Sequence, residues 1–376
     1  MNIAVLGAGL VGGPMAADLA TDFDVTLFDF NKTNLDRFNL PRLKTEVADF
    51  SNPETVKEKV KSFDLVVNAL PGFMGFQTFK AVIEAGKNII DIAFFAEDPL
   101  PLDLLAKEKG VIAIMDMGVA PGMSNVLTGY GAHLLDETDT ALTYVGGLPV
   151  IRQWPYEYKA VFSPVDVIEE YTRPARYIEN GVMVIRPALS DAELMEFPGV
   201  GTLESFNSDG IRSLAFTIKA KNIKEKTLRY PGHIDKMAVL RETGFFSQEA
   251  IDINGTKIRP LDFTAKLLFP KWKLQEGEAD LTVMKVIVEG TKAGKKLRYT
   301  WDLLDYYDPK SKVHSMARTT GYSATVAARM VLEGKYAVKG VTVPEFIGGH
   351  PECVKFLLDG LKKRGVIYHE TIEELK

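Results

Sequence analysis

Hydrophobic residues fall in short blocks along this chain, and the first blocks are spaced by segments of helical period. Asn2-Ile3-Ala4-Val5-Leu6 is an apolar run of one buried strand's length. It breaks into Gly7-Ala8-Gly9-Leu10-Val11-Gly12, residues 14–20 read as a helix, and Val25-Thr26-Leu27-Phe28 is a second apolar run ending on Asp29. The alternation continues with strands predicted over 43–47, 63–70, 88–93 and 111–116 and helices over 36–43, 53–60, 75–85 and 102–109, two of them closed by Gly86 and Gly110. Strands alternating with helices at this spacing predict a doubly wound parallel sheet.

The texture changes at Met117-Gly118-Val119-Ala120-Pro121-Gly122-Met123-Ser124-Asn125, where Gly and Pro turn the chain and Ser124 or Asn125 can cap a helix over 126–135. Beyond it, strands are expected over 140–145, 183–186, 212–219, 226–229 and 280–289, the last paired through a turn at 290–296 with a return arm at 297–302. This is the pattern of an α+β domain. A helix over 315–333 carries small residues (Ala317, Ala324, Ala327, Ala328), which permit close approach, so it should pack under the first domain. A helix ending at Gly365, a strand over 366–368 and a charged tail follow. The division is 1–122 for the parallel-sheet domain, 123–314 for the inserted α+β domain, and 315–376 for elements returning to the first.

The opening unit meets the demands of a dinucleotide site together: strand, G-x-G-x-x-G turn, helix, strand, and an acid about 20 residues after the turn. Gly7 permits the tight turn, Gly9 lets the backbone approach a pyrophosphate, and Gly12 lets helix and strand pack closely. Leu10 and Val11 would present backbone N–H groups at the helix start, while Asn68, Leu70 and Pro71 lie where the 63–70 strand runs out at the ligand edge of the sheet. Asp29 can accept from both ribose hydroxyls and would repel a 2′-phosphate, which favours NAD. No arginine follows it directly, but Lys32 lies close enough to meet a phosphate, which keeps NADP as the alternative.

Composition narrows the classes. The 376 residues are 46% hydrophobic and 25% charged, with a dispersed net charge of −5 and no basic run to grip nucleic acid. No apolar stretch reaches membrane-span length, and Met1 runs directly into the first strand, so a cytoplasmic protein is expected. A single cysteine and five scattered histidines argue against a disulfide or a metal site.

A nicotinamide reaction takes hydride from a carbon bearing an amine or an alcohol, so it needs a base for a proton and groups that hold the substrate. Candidates cluster between residues 162 and 233. His233 could accept a proton or be structural. Asp209, before Gly210, could hold an ammonium or form an ordinary turn. Arg173 could clamp a carboxylate or pair with Glu169, and Ser163, Arg212 and Arg229 are further substrate candidates.

At these residues the chain resembles the saccharopine dehydrogenase-like superfamily, and within it the L-lysine dehydrogenases. The resemblance spans almost the full length and rests on Gly7-to-Gly12, the Gly118-to-Asn125 block, Tyr144-Val145-Gly146-Gly147-Leu148-Pro149, residues 163–176, Ser208-Asp209-Gly210, Thr227-Leu228-Arg229-Tyr230-Pro231-Gly232-His233 and Met316-Ala317-Arg318-Thr319-Thr320-Gly321-Tyr322. It implies a Rossmann domain completed by C-terminal elements and an inserted α+β domain that binds substrate and dimerises. The implied reaction is NAD-dependent oxidation of the side-chain amine of L-lysine to a cyclising 6-semialdehyde with release of ammonia. Saccharopine reductases carry an acid where this chain has Ala120 and a cysteine where it has Val145, departures that favour a smaller substrate. A saccharopine or carboxynorspermidine dehydrogenase of the same fold is the alternative, and a non-catalytic dinucleotide sensor is the alternative outside enzymes. Apolar Val283, Val286 and Val288, more than one open sheet could cover, add to the expectation of a homodimer.

Overall fold

Short apolar strands build the inner part of the first unit's sheet, and the polar, largely exposed strand Leu43–Val47 forms one edge. The computed structural model describes residues 1–161, 164–275 and 277–376, with residues 164–166 described by their backbone alone. Met1–Leu134 and Met316–Tyr368 form one compact unit, Leu135–Ser315 and His369–Lys376 another. Among the described residues the first unit holds a seven-stranded sheet in the order Gly340–Thr342, Ile112–Ile114, Asn88–Asp91, Leu65–Asn68, Asn2–Leu6, Asp24–Asp29, Leu43–Val47. All six pairings are parallel, as a doubly wound sheet requires. The order reverses at Asn2–Leu6, so the end of that strand is the topological switch point where ligands of such sheets bind.

Three details of this unit differ from the sequence reading. The helix expected over 36–43 is instead a single turn, Lys32–Leu35. It starts early because the Asn31 side chain accepts from the Thr33 N–H at 3.0 Å, a local cap stronger than the diffuse polar periodicity that follows. The helix expected from Val126 begins at Met123, and Asn125 reaches back to the Gly122 N–H from within its first turn. The seventh strand, Gly340–Thr342, went unanticipated because three residues are too few to show a period.

The returning elements are fastened to the first helix by charge. Arg329 donates through Nη1 to Asp18 at 2.8 Å and through Nη2 to Asp22 at 2.6 Å, and Arg364 Nε donates to Asp18 at 2.7 Å. Arg329 and Asp18 are largely buried, so this is a pair in which each partner needs the other.

The second unit is a mixed nine-stranded sheet among the described residues. Its centre is the long Glu137–Pro149 strand, parallel to Asn222–Arg229 on one side and antiparallel to Asp280–Lys292 on the other. Asp280–Lys292 and Lys295–Tyr306 form the expected hairpin, turning at Ala293-Gly294. Residues 212–219 are not a strand: Arg212 takes a left-handed φ of 50° and Leu214–Thr217 is one helical turn. That turn brings Ile211 and Leu214 into one cluster with Ala141 and Ile223, a burial that an extended segment alternating faces would forfeit. The tail also departs from expectation, since His369–Lys376 belongs to this unit and the strand Tyr368–Glu374 extends its sheet. Val283, Val286 and Val288 are buried within the chain itself, so they do not call for a second copy to cover them. No helix among the described residues is long and apolar enough to cross a membrane.

Candidate functional site

The glycine turn at the switch point is locked by backbone. Gly7 sits at φ 100° and donates its N–H to Phe28 O at 2.8 Å, and a Cβ on Gly12 would stand 2.0 Å from Gly7 O. Neither position accepts a side chain without displacing main chain. Gly9 differs, because a Cβ there would meet nothing within 4 Å. Its bareness serves the space in front of the turn and not the packing behind it. The helix Gly12–Leu19 starts without any side-chain cap at Val11; the Gly13 N–H bonds back to Gly9 O at 3.3 Å, and an uncapped helix start favours an anion in front of it. Leu10 is exposed beside this start. An open space, an uncapped helix start and an acid at the neighbouring strand end are what a dinucleotide diphosphate and ribose need, so the residues fit NAD or NADP.

Asp29 is buried and held by donors on both oxygens. Oδ2 accepts from Ala8 N at 2.7 Å, and Oδ1 accepts from Asn31 N at 2.8 Å and Asn34 Nδ2 at 3.3 Å. Its carboxylate thus braces the glycine turn. Lys32, the expected cation here, pairs with Asp36 on the surface instead. Arg37 lies over the turn: Nη2 donates to Ala8 O at 2.8 Å and Nε to Asn34 O at 3.2 Å. Sequence reasoning missed it, because its approach depends on where the chain travels after the Lys32–Leu35 turn.

Asn68 is buried at the end of its strand. Its Nδ2 donates to Asp91 Oδ2 at 2.6 Å and its Oδ1 accepts from Leu70 N at 3.3 Å, while Asp91 Oδ1 accepts from Ala93 N at 2.8 Å. Asn68 therefore shapes the exit of the chain at Leu70 and Pro71, and the Asp91 carboxylate caps backbone beside it.

In the second unit the candidates scatter into different environments. Arg229 is 2% exposed in its side chain, its guanidinium 4.6 Å from the centre of the Tyr158 ring and 5.8 Å from that of Tyr171. Nη2 donates to Glu170 Oε2 at 2.6 Å and Nε to the Tyr171 hydroxyl at 3.2 Å. Burial works against the charge of Arg229, but Tyr171, Tyr158 and Glu170 together more than offset it and hold the guanidinium protonated.

His233 continues this chain of bonds. A backbone carbonyl only accepts, so Nδ1 donates to Tyr156 O at 2.9 Å and Nε2 accepts from the Tyr171 hydroxyl at 3.0 Å. The ring is 1% exposed. Burial first, and the Arg229 cation second, push its pKa down to about 3. This corrects the reading of His233 as a proton acceptor for substrate: its one basic nitrogen is occupied, and it is sealed in the aromatic core with Tyr158 and Trp272.

Asp209 is likewise engaged. Its two oxygens accept from Arg176 Nε at 2.8 Å and Nη2 at 2.9 Å, and Oδ1 also accepts from Arg176 N. The bidentate fork satisfies the carboxylate that the sequence left open to an ammonium or to an ordinary turn. Arg212 is buried beside it in sequence. Arg173 is 29% exposed in its side chain and pairs with Glu169, one helical turn earlier, at 3.2 Å. Ser163 lies outside the described residues. Among the described residues no group of three or more His, Cys, Asp or Glu side chains could hold a metal ion.

Comparison with known proteins covers both units. Residues 3–114 match the saccharopine dehydrogenase NADP binding domain and residues 118–366 the saccharopine dehydrogenase C-terminal domain. The chain is 25% identical to carboxyaminopropylagmatine dehydrogenase of Synechocystis over 99% of its own length and 98% of the relative's. It is 25% identical to carboxynorspermidine synthase of Vibrio cholerae over 93% of each chain. Apo saccharopine dehydrogenase (L-Glu forming) from Saccharomyces cerevisiae shares its fold at a TM-score of 0.81, with 18% identity and 99% of each chain covered.

Proposed function

The chain belongs to the saccharopine dehydrogenase family, and from that premise we propose that it oxidises the side-chain amine of L-lysine with NAD. Its class is that of an oxidoreductase acting on amino-acid or polyamine substrates with a nicotinamide dinucleotide. What carries lysine over a longer amine is that Ala120 and Val145 are apolar where saccharopine-forming members of the family carry an acid and a cysteine. The nicotinamide, when bound, accepts the hydride from the ε-carbon. Water then adds to the resulting imine, ammonia leaves, and the 6-semialdehyde cyclises. A lysine ammonium has a reference pKa near 10.4, so it must lose a proton before hydride transfer, and a partly desolvated site favours that loss.

Arg173 is the arginine of the second unit best suited to take the α-carboxylate. Its present partner is a half-exposed acid on the same helix, a type of pair worth only about 0.3–0.5 kcal/mol and easily exchanged. Arg229 and Arg176, by contrast, are bound to acids through short or forked bonds. The glycine turn and Asp29 hold the dinucleotide, and Asn68, Leu70 and Pro71 border it.

The full-length likeness to carboxyaminopropylagmatine dehydrogenase and carboxynorspermidine synthase favours a second reading, oxidation of the secondary amine of a carboxyalkyl polyamine. One assay set separates the readings. With NAD supplied, L-lysine should give NADH with one equivalent of ammonia. NADH from saccharopine or a carboxyalkyl polyamine, with none from lysine, would replace the first reading by the second. Dinucleotide binding without turnover of any of the three would leave a sensor and not an enzyme.

A further inference from the structure

We propose that Arg37 is the residue that reads the 2′-position of the cofactor's adenosine ribose, and that it admits a 2′-phosphate beside Asp29. The inference rests on the dinucleotide reading of the glycine turn but not on any particular substrate. The observation behind it is the path of the chain after Asp29. Phe38 packs on the first turn of the glycine helix so closely that a Cβ on Gly13 would stand 2.3 Å from its ring. The Arg37 guanidinium lies 5.7 Å from the centre of the Phe38 ring and is fixed by bonds to Ala8 O and Asn34 O. Ala8 is also the residue whose N–H binds Asp29. One residue of the glycine turn therefore carries the ribose acid on its N–H and an arginine on its carbonyl.

This changes the electrostatics of the ribose end. A lone Asp there would exclude NADP by repulsion, as the sequence suggests. Here the Asp29 charge is spread over three donors, and a fixed cation stands across the same turn. The Nη1 amine of Arg37 takes part in neither bond to the turn, and arginine meets phosphate oxygens with a geometry that lysine lacks. Lys32 is 73% exposed in its side chain and is drawn to Asp36, so it is not the reader. Because the guanidinium is already held, little ordering entropy remains to be lost when phosphate arrives.

The test uses the full chain and two adenosine fragments, 2′,5′-ADP and 5′-ADP, titrated by calorimetry. Wild type should bind both. Arg37→Ala should weaken 2′,5′-ADP about tenfold or more, the scale of a charged hydrogen bond, and change 5′-ADP less than about twofold. Arg37→Lys should recover part of the loss, and Lys32→Ala should leave both affinities unchanged. Equal weakening of both fragments in Arg37→Ala, with a shifted melting curve, would make Arg37 a brace of the turn and overturn the proposal. Wild type that binds 5′-ADP but not 2′,5′-ADP would overturn it too. Failure of both fragments and of NAD would instead strike the dinucleotide reading itself.

Discussion

Asp29 and Arg229 are both buried charges, and they are held in opposite ways. Asp29 is satisfied by the main-chain N–H groups of Ala8, in the glycine turn, and of Asn31, and by the Asn34 amide five residues on. It ends at the ligand edge of a sheet. Arg229 is satisfied by Glu170 and Tyr171, 59 and 58 residues away, and is closed in by aromatic rings. A charge held by main-chain N–H groups at a sheet edge can still meet a ligand, whereas a charge closed in by aromatic side chains serves cohesion.

The contrast is broken most severely at Arg229. Arg229→Ala leaves Glu170 and two tyrosines facing a cavity and should cost about 3 kcal/mol or more of stability. Thermal or urea unfolding measures it, and a loss below about 1 kcal/mol would show that the network contributes no cohesion.

The pH dependence of His233 comes next. Its folded pKa, about 3, lies below the unfolded value near 6.5. The unfolded state therefore binds the extra proton between those values. Stability from this site is complete above about pH 6.5 and falls as pH drops toward 3, by a total on the order of 5 kcal/mol. His233→Gln should flatten that part of the stability profile relative to wild type. Parallel wild-type and variant profiles would mean that the ring is not held neutral.

At the turn, Gly12→Ala and Gly9→Ala should part company. The first forces a methyl against Gly7 O and should cost about 1–3 kcal/mol in stability. The second should melt normally and lose dinucleotide affinity, since its methyl occupies only the open space. Normal dinucleotide binding by Gly9→Ala would move the diphosphate elsewhere.

The smallest effect on the fold should come from Arg173→Ala. A change within about 0.5 kcal/mol in stability, a KM for lysine raised severalfold and an unchanged NAD affinity are expected. Parallel losses of NAD and lysine affinity would make Arg173 structural.

This division also explains what the sequence could disclose. Strand, glycine turn, helix, strand and Asp29 were legible because each follows from short-range sterics; five of the seven parallel strands showed as apolar runs, and the polar edge strand Leu43–Val47 showed only as a short segment between helices. Gly340–Thr342 did not, since its strand identity comes only from pairing with Ile112–Ile114. Residues 212–219 alternate like a strand, but the gain from burying Ile211 and Leu214 together overrode the pattern. His233 looked chemical because imidazole titrates near neutrality, and nothing within ten residues announces that Tyr156 and Tyr171 will occupy both nitrogens. Arg37 was hidden for the converse reason. Its sequence distance from Asp29 suggested no partnership, and only the packing of Phe38 on Gly13 brings it to the turn.

The ion pairs of Asp18 bear on how this protein is made. Asp18 meets Arg329 and Arg364 across 311 and 346 residues. During synthesis the glycine turn and its helix leave the ribosome well before the arginines that neutralise Asp18, which follow more than 300 residues later. The nucleotide unit cannot close cotranslationally at Leu134, and a nascent chain must carry it unfinished while the whole second unit emerges. Loop closure over such a span makes late docking the slow event. A message truncated before the codon for Arg364 would yield a chain with the full glycine motif and no finished unit to hold it.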